Sequence, residues 1–388
     1  MADEAPPPLG PPSDLRWPPE HPGDAPGSRR KMSRWSATLA ILGVVAIVVG
    51  LVGTFVRVPY DTLAPGGTLN LETRVSVKGV KTYRARGDVM LLFVRERAHV
   101  NLWSWLQAKI DPDIDLVKQV DVTGGGTQQQ ADRQDVCDMS QSQDAARVAA
   151  ITALGEHVAV LPGLSIFELP AEYATPGPGR TTVIHKYPAI DVLRPCDLIL
   201  SADGHTLKRP GDLSPIVKAH AVGTSVTLGI LRAGRHQTVR VPVIDDNGTH
   251  MIGVALTLRY KVPLNIGLDT SDVSGPSAGL AMALAIIDVL TPGELTGGKR
   301  VAVTGTIDPT GRVGEIGGLP QKAVAARASH AQIFIVPACS DDPCRKDLAT
   351  ARKRVGKNVE LAPVSTLADA LKVLRDAGGT PVPAPSSS

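Results

Sequence analysis

Gly275-Pro276-Ser277-Ala278-Gly279 opens the stretch on which the reading of this chain turns. An apolar run follows from Leu280 to Leu290, then Val301-Ala302-Val303-Thr304-Gly305-Thr306-Ile307, then Gly317-Gly318-Leu319-Pro320-Gln321-Lys322. Leu280, Ala283, Leu284, Ile287 and Leu290 fall on one helical face, and Pro292 ends the pattern. The spacing therefore puts Ser277 at a helix N-terminus, beside free backbone N–H groups and the positive end of the helix dipole. Such groups can hold a developing oxyanion. A plain turn with Ser277 as N-cap fits the same five residues. Pro320 suits the first turn of a second helix, Pro320 to Ser329, with Lys322 near its start. Ile316, Leu319, Ala323, Val324 and the strand Val301–Ile307 make apolar surroundings for that lysine. A lysine acts as a base only when desolvation lowers its pKa from ~10.4 towards ~7–8.

Taken together, Leu268–Pro337 resembles the proteolytic domain of Lon proteases, which use a Ser–Lys dyad. Gly-Pro-Ser-Ala-Gly around Ser277 matches the nucleophile motif. Thr304–Ile307, Val313–Leu319 and Lys322 match the remaining motifs in order. The resemblance implies Ser277 as nucleophile, Lys322 as general base and Thr304 as its hydrogen-bonding support. One departure is Ser274, where nucleotide-dependent Lon enzymes often carry Asp.

The 388 residues allow two or three domains plus extensions. A net charge of +3 and 3% aromatics suggest neither a phosphate-binding field nor a base-stacking platform, so no nucleic-acid partner is expected. Residues 1–34 are rich in proline and read as a disordered tail. Trp35–Val56 holds no charge over 22 residues. At about 1.5 Å per residue it reaches roughly 33 Å, enough to cross a bilayer. Arg29, Arg30, Lys31 and Arg34 precede it and only Arg57 follows closely. This asymmetry predicts an uncleaved single-pass anchor, N-terminus cytoplasmic and the rest outside the cell membrane.

Residues 57–157 read as an extracytoplasmic N-terminal α/β region. Leu63–Val77 and Val89–Val94 are expected as strands and Trp103–Ile110 as a helix. Val120–Arg133 reads as a Gly/Gln-rich loop. Ser140–Gln143 reads as a capping box before a helix Asp144–Leu154. Trp103 and Trp105 fit partial burial or contact with lipid or substrate. Over 158–246 the pattern changes to short strands around one helix. Leu193–Gly204, a helix Leu213–Ala219, Gly223–Leu228 and Arg232-Ala233-Gly234 resemble a PDZ domain, with Cys196 where Gly is usual. Such a domain binds an extended peptide as an added strand. Gly163-Leu164-Ser165-Ile166 is similar to its carboxylate-binding loop, and equally fits a plain loop-to-strand junction. The proteolytic domain is expected over 247–377 and a second disordered tail over 378–388.

Cys339 and Cys344 bracket four residues and suit a small disulfide loop in an oxidising compartment. Cys137 and Cys196 either pair or stay free. No His-Glu-x-x-His or Cys-x-x-Cys occurs, so no metal or other cofactor is expected. Gly293–Lys299 fits the first seven positions of a P-loop, but Arg300 stands where the metal-binding Ser/Thr belongs. It reads as a turn, and the chain as ATP-independent. Gly-x-Ser-x-Gly also fits an α/β-hydrolase elbow, yet only His330 follows Ser277.

The fold expected is α+β: a single N-terminal transmembrane helix, a PDZ-like β-sandwich or barrel, and a Lon-type proteolytic α+β domain. The whole resembles the membrane-anchored PDZ-containing Lon-like serine proteases of bacteria. That implies a serine endopeptidase acting on extracytoplasmic proteins or peptides, with PDZ-mediated recognition; a homo-oligomer of the peptidase domain is left open. The competing expectation is a catalytically inactive PDZ/Lon-like scaffold at the cell surface.

Overall fold

The computed structural model describes residues 34–176 and 182–382. The tail expected over 1–34, except Arg34, and residues 383–388 of the second tail lie outside these limits. The chain divides into two compact units, Met1–Gly53 and Thr54–Ser388. In the first, Arg34 begins a single helix that runs to Phe55. Leu, Ile and Val occupy all of its faces, and Thr38–Phe55 is long and apolar enough to cross a membrane.

The second unit is built on two six-stranded sheets. The first has the order Glu360–Val364, Ile333–Pro337, Arg300–Val303, Asp88–Arg97, Tyr60–Asn70, Asp115–Lys118. Its first four strands are mutually parallel, and the last two join antiparallel. Successive side chains of a strand face opposite ways, so parallel strands covered on both sides read as unbroken apolar runs. Val89, Leu91, Val301, Val303, Ile333 and Ile335 face one core, with the helix Gly279–Leu290. Met90, Leu92, Ala302, Phe334 and Val336 face the other, with the helices Leu319–Ala328 and Asp342–Val355.

This arrangement corrects the expected domain borders. Residues 57–157 do not form a separate region, because Asp88–Arg97 pairs with Arg300–Val303 inside the first sheet. The strand expected over Leu63–Val77 is two, Tyr60–Asn70 and Val75–Lys78, parted by a 3-10 turn at Glu72–Arg74. Val120–Arg133 is mostly helical. Thr127 caps a 26-residue helix, Gln128–Ala153, and makes a capping box with Gln130. Ser140–Gln143 is therefore helix interior, not a cap. The expected tail 378–388 is anchored at its start. Thr380 N donates to Glu294 O at 2.8 Å, and Glu294 N donates to Thr380 Oγ1 at 2.9 Å. The P-loop-like Gly293–Lys299 is the turn between helix and strand, and Lys299 Nζ donates to Ala377 O at the end of the helix Leu367–Asp376.

The second sheet is antiparallel, in the order Arg235–Pro242, Ser225–Arg232, Leu198–Ala202, Ala159–Glu168, Ala255–Lys261, with His205–Thr206 added at Leu198–Ala202. It closes a separate core with Leu213 and Val217 of the helix Leu213–Ala219. The strand Ala255–Lys261 carries this sheet past the expected border at 246.

All four cysteines are paired, Cys339 with Cys344 and Cys137 with Cys196. The second bond ties the helix Gln128–Ala153 to the turn before Leu198–Ala202 across 59 residues of chain. Removing closure of a loop this long costs about 2–4 kcal/mol. Cys137→Ala combined with Cys196→Ala is expected to lower stability by that amount, read from the urea midpoint. An unchanged midpoint would refute this role.

Candidate active site

Gly275 has φ +83°, in the left-handed region that favours glycine, and it turns the chain into Pro276–Ala278. Gly279 has a different reason to be glycine. A Cβ there would stand 2.9 Å from both Ile307 Cγ2 and Ser142 Oγ, so only a bare Cα lets the serine turn lie this close. The turn is held from three directions. Ser142 Oγ donates to Pro276 O at 2.9 Å, Gly305 N to Ser277 O at 3.0 Å and Thr304 Oγ1 to Ser277 O at 3.3 Å. Ser277 does not cap the helix; Ala278 occupies that position and makes no side-chain cap bond.

The Ser277 hydroxyl instead meets Lys322. The helix Leu319–Ala328 starts from Gly318, which is left-handed, with Pro320 in its first turn. Lys322 points inward from it and is 2% exposed. Its Nζ lies 2.8 Å from Ser277 Oγ and 3.1 Å from Thr304 Oγ1. Burial pushes the lysine down to about 7. A neutral amine at hydrogen-bond distance can take a hydroxyl proton, which an ordinary lysine near neutral pH cannot. Thr304, buried at the end of Arg300–Val303, gives that amine a second contact. Thr304→Ala is expected to fold normally and to raise the acylation barrier by about 1–3 kcal/mol. A variant with unchanged acylation kinetics would show that the contact does not position the lysine.

Ser277 and Lys322 line a cleft of about 1020 Å³. Leu63, Val94 and Glu96 of the first sheet form part of its wall, and Glu168–Glu172 and Arg194 of the second sheet's domain form another part. Burial first, then the charges of neighbouring carboxylates, push the carboxyls of Glu96 and Asp135 up. The supporting residues Asp135 and Ser142 were not read from the sequence. Asp135 O accepts from Gly275 N at 3.4 Å. Both belong to the helix Gln128–Ala153, whose Thr127-x-x-Gln130 signature was available but masked by the preceding glycines.

Two expectations change here. Among the amides expected to hold an oxyanion, Gly279 N is bonded to Pro276 O and Leu280 N to Gly305 O. Gly163–Ile166 does not form a carboxylate-binding loop. Gly163 has φ +81°, but Leu164 and Ile166 are buried core residues inside Ala159–Glu168. Leu164 and Ser165 pair with Ile199 and Leu198 on one side. Leu164, Ser165 and Ile166 pair with Leu258, Thr257 and Leu256 on the other. A strand covered on both edges has no open edge for a peptide.

Residues 265–376 match the family model of the Lon protease (S16) C-terminal proteolytic domain, and residues 174–243 match that of the PDZ domain. The chain is 29% identical over 185 residues to the Lon protease of Campylobacter concisus (strain 13826), covering 47% of this chain and 22% of that one. It is 42% identical over 122 residues to the Lon protease of Azospirillum brasilense, covering 31% and 14%. The chain thus spans about a fifth or less of these relatives. Among solved structures, the PDZ domain of an SdrC-like protein from Listeria monocytogenes is similar at 21% identity and a TM-score of 0.20, over 25% of this chain and 90% of that one. The chain carries a Lon-type proteolytic domain joined to a PDZ domain in a mixed α+β structure.

Proposed function

We propose that the chain is a membrane-anchored serine endopeptidase that works without nucleotide on extracytoplasmic proteins or peptides. The observation that carries the proposal is the 2.8 Å contact between Lys322 Nζ, on a side chain only 2% exposed, and Ser277 Oγ. Lys322 enters neutral and takes the Ser277 proton as Oγ attacks a peptide carbonyl. The resulting oxyanion is met by the amides of the serine turn. Lys322 then returns the proton to the leaving amine, and water, activated the same way, releases the acyl group. The PDZ domain contributes wall residues to the catalytic cleft, so recognition and chemistry share one cavity.

A fluorophosphonate probe tests this reading on the full-length protein. One covalent adduct on Ser277 is expected. Absence of any adduct on folded protein would favour the scaffold. Orientation is tested separately. Protease added to intact cells is expected to remove the C-terminal domains and spare an N-terminal tag. Protection of those domains would refute the extracytoplasmic placement.

A further inference from the structure

The helix Leu102–Ile110 turns Trp103, Leu106 and Ile110 away from the protein, with Gln107 and Lys109 exposed beside them. Asn101 caps it, its side chain accepting from Ser104 N at 2.9 Å. Ala108 is buried towards the strands Tyr60–Asn70 and Asp115–Lys118. Trp103, Leu106 and Ile110, at i, i+3 and i+7, share the opposite face and are 40%, 37% and 84% exposed. Ordinary surface helices carry polar residues there. Lys109 flanks the face, its ammonium 5.5 Å from the centre of the Trp105 ring.

The position of this helix says what covers it. Leu102 N donates to Val56 O at 3.1 Å, and Arg57 bridges to Asn101. Val56 directly follows Phe55, where the apolar 22-residue helix ends. Whatever direction that helix takes, the start of Leu102–Ile110 is hydrogen-bonded to the residue at which the chain leaves it. We infer that Leu102–Ile110 lies in the interfacial layer of the bilayer, with Trp103, Leu106 and Ile110 turned into lipid. The inference rests on the membrane-anchor reading. An amphipathic helix gains by burying its apolar face at the headgroup–acyl boundary, and a tryptophan with a flanking lysine suits that layer. The contact gives the body a second point of attachment beside its single span.

Single-tryptophan versions of the full chain test this in phosphatidylcholine–phosphatidylglycerol vesicles, with or without bromine on the acyl chains. Trp17, Trp35, Trp103 and Trp105 are replaced by Phe, and Ile110→Trp supplies the probe at the far end of the helix. A second chain keeps only Trp35. Cooperative melting establishes that each is folded. The account expects brominated lipid to quench the Ile110→Trp emission by about half or more, as for a side chain held at the acyl boundary. Unquenched Ile110→Trp emission beside quenched Trp35 would overturn the inference and leave the anchor standing. A face that instead binds a second copy of the chain gives that result. Unquenched emission from both would overturn the anchor reading and the inference with it.

Discussion

Ser277→Ala is expected to abolish peptide cleavage and probe labelling together, by a factor on the order of 10⁴ or more. On the proposed mechanism the Ser277 hydroxyl is the group that bonds to substrate, and the other hydroxyl beside Lys322, that of Thr304, is fully buried. The fold should be unaffected. The turn is fixed by the carbonyls of Pro276 and Ser277, which alanine retains, not by the lost hydroxyl. A folded Ser277→Ala protein that still cleaves peptides at a substantial rate would place the reaction elsewhere.

Lys322→Arg should be nearly as damaging, because members of one catalytic unit fail together. Arginine keeps the charge but does not deprotonate near neutral pH. Its longer planar group must also fit a pocket that buries Lys322 almost completely. Lys322→Met separates catalysis from folding more cleanly. The folded pKa of Lys322 lies below its unfolded value, so the unfolded chain binds a proton that the native state refuses. Stability on this account falls as pH drops from about 10.5 towards about 7. Methionine removes that cost, so Lys322→Met should be inactive yet melt no lower than wild type at neutral pH. Turnover in folded Lys322→Arg would eliminate this base.

How much could be read from the sequence depended on the distance between interacting residues. Ser277, Thr304 and Lys322 lie within 46 residues of one another in short recognisable motifs, and the structure brings them into contact. The helix from Gly279 to Leu290 announced itself by its apolar period. Pairings across the whole chain left no such mark. Val89 sits beside Val301, and both strands are apolar on two faces, so neither periodicity nor spacing names the partner. The same limit hid the pairing of Ala255–Lys261 with Ala159–Glu168. Gly163–Ile166 looked like a loop because glycine marks turns, yet it fits within a strand as an irregularity in the ladder. The three glycines at 124–126 likewise outweighed the capping box of Thr127 and Gln130, so the helix Gln128–Ala153 was read only from Asp144 onward and the part that supports the serine turn was missed.

The central claim is that a buried lysine, neutral near pH 7, activates Ser277. The most direct test is the pH dependence of Ser277 acylation by the fluorophosphonate, measured on full-length protein from pH 5 to 9. Protonated Lys322 cannot accept the serine proton, so the rate should be low in acid, rise with pH and level off above an inflection near about 7, where burial places this group. Lys322→Arg should show no such rise. A wild-type rate that is flat across the range, or a rise that persists unchanged in Lys322→Arg, would contradict the account.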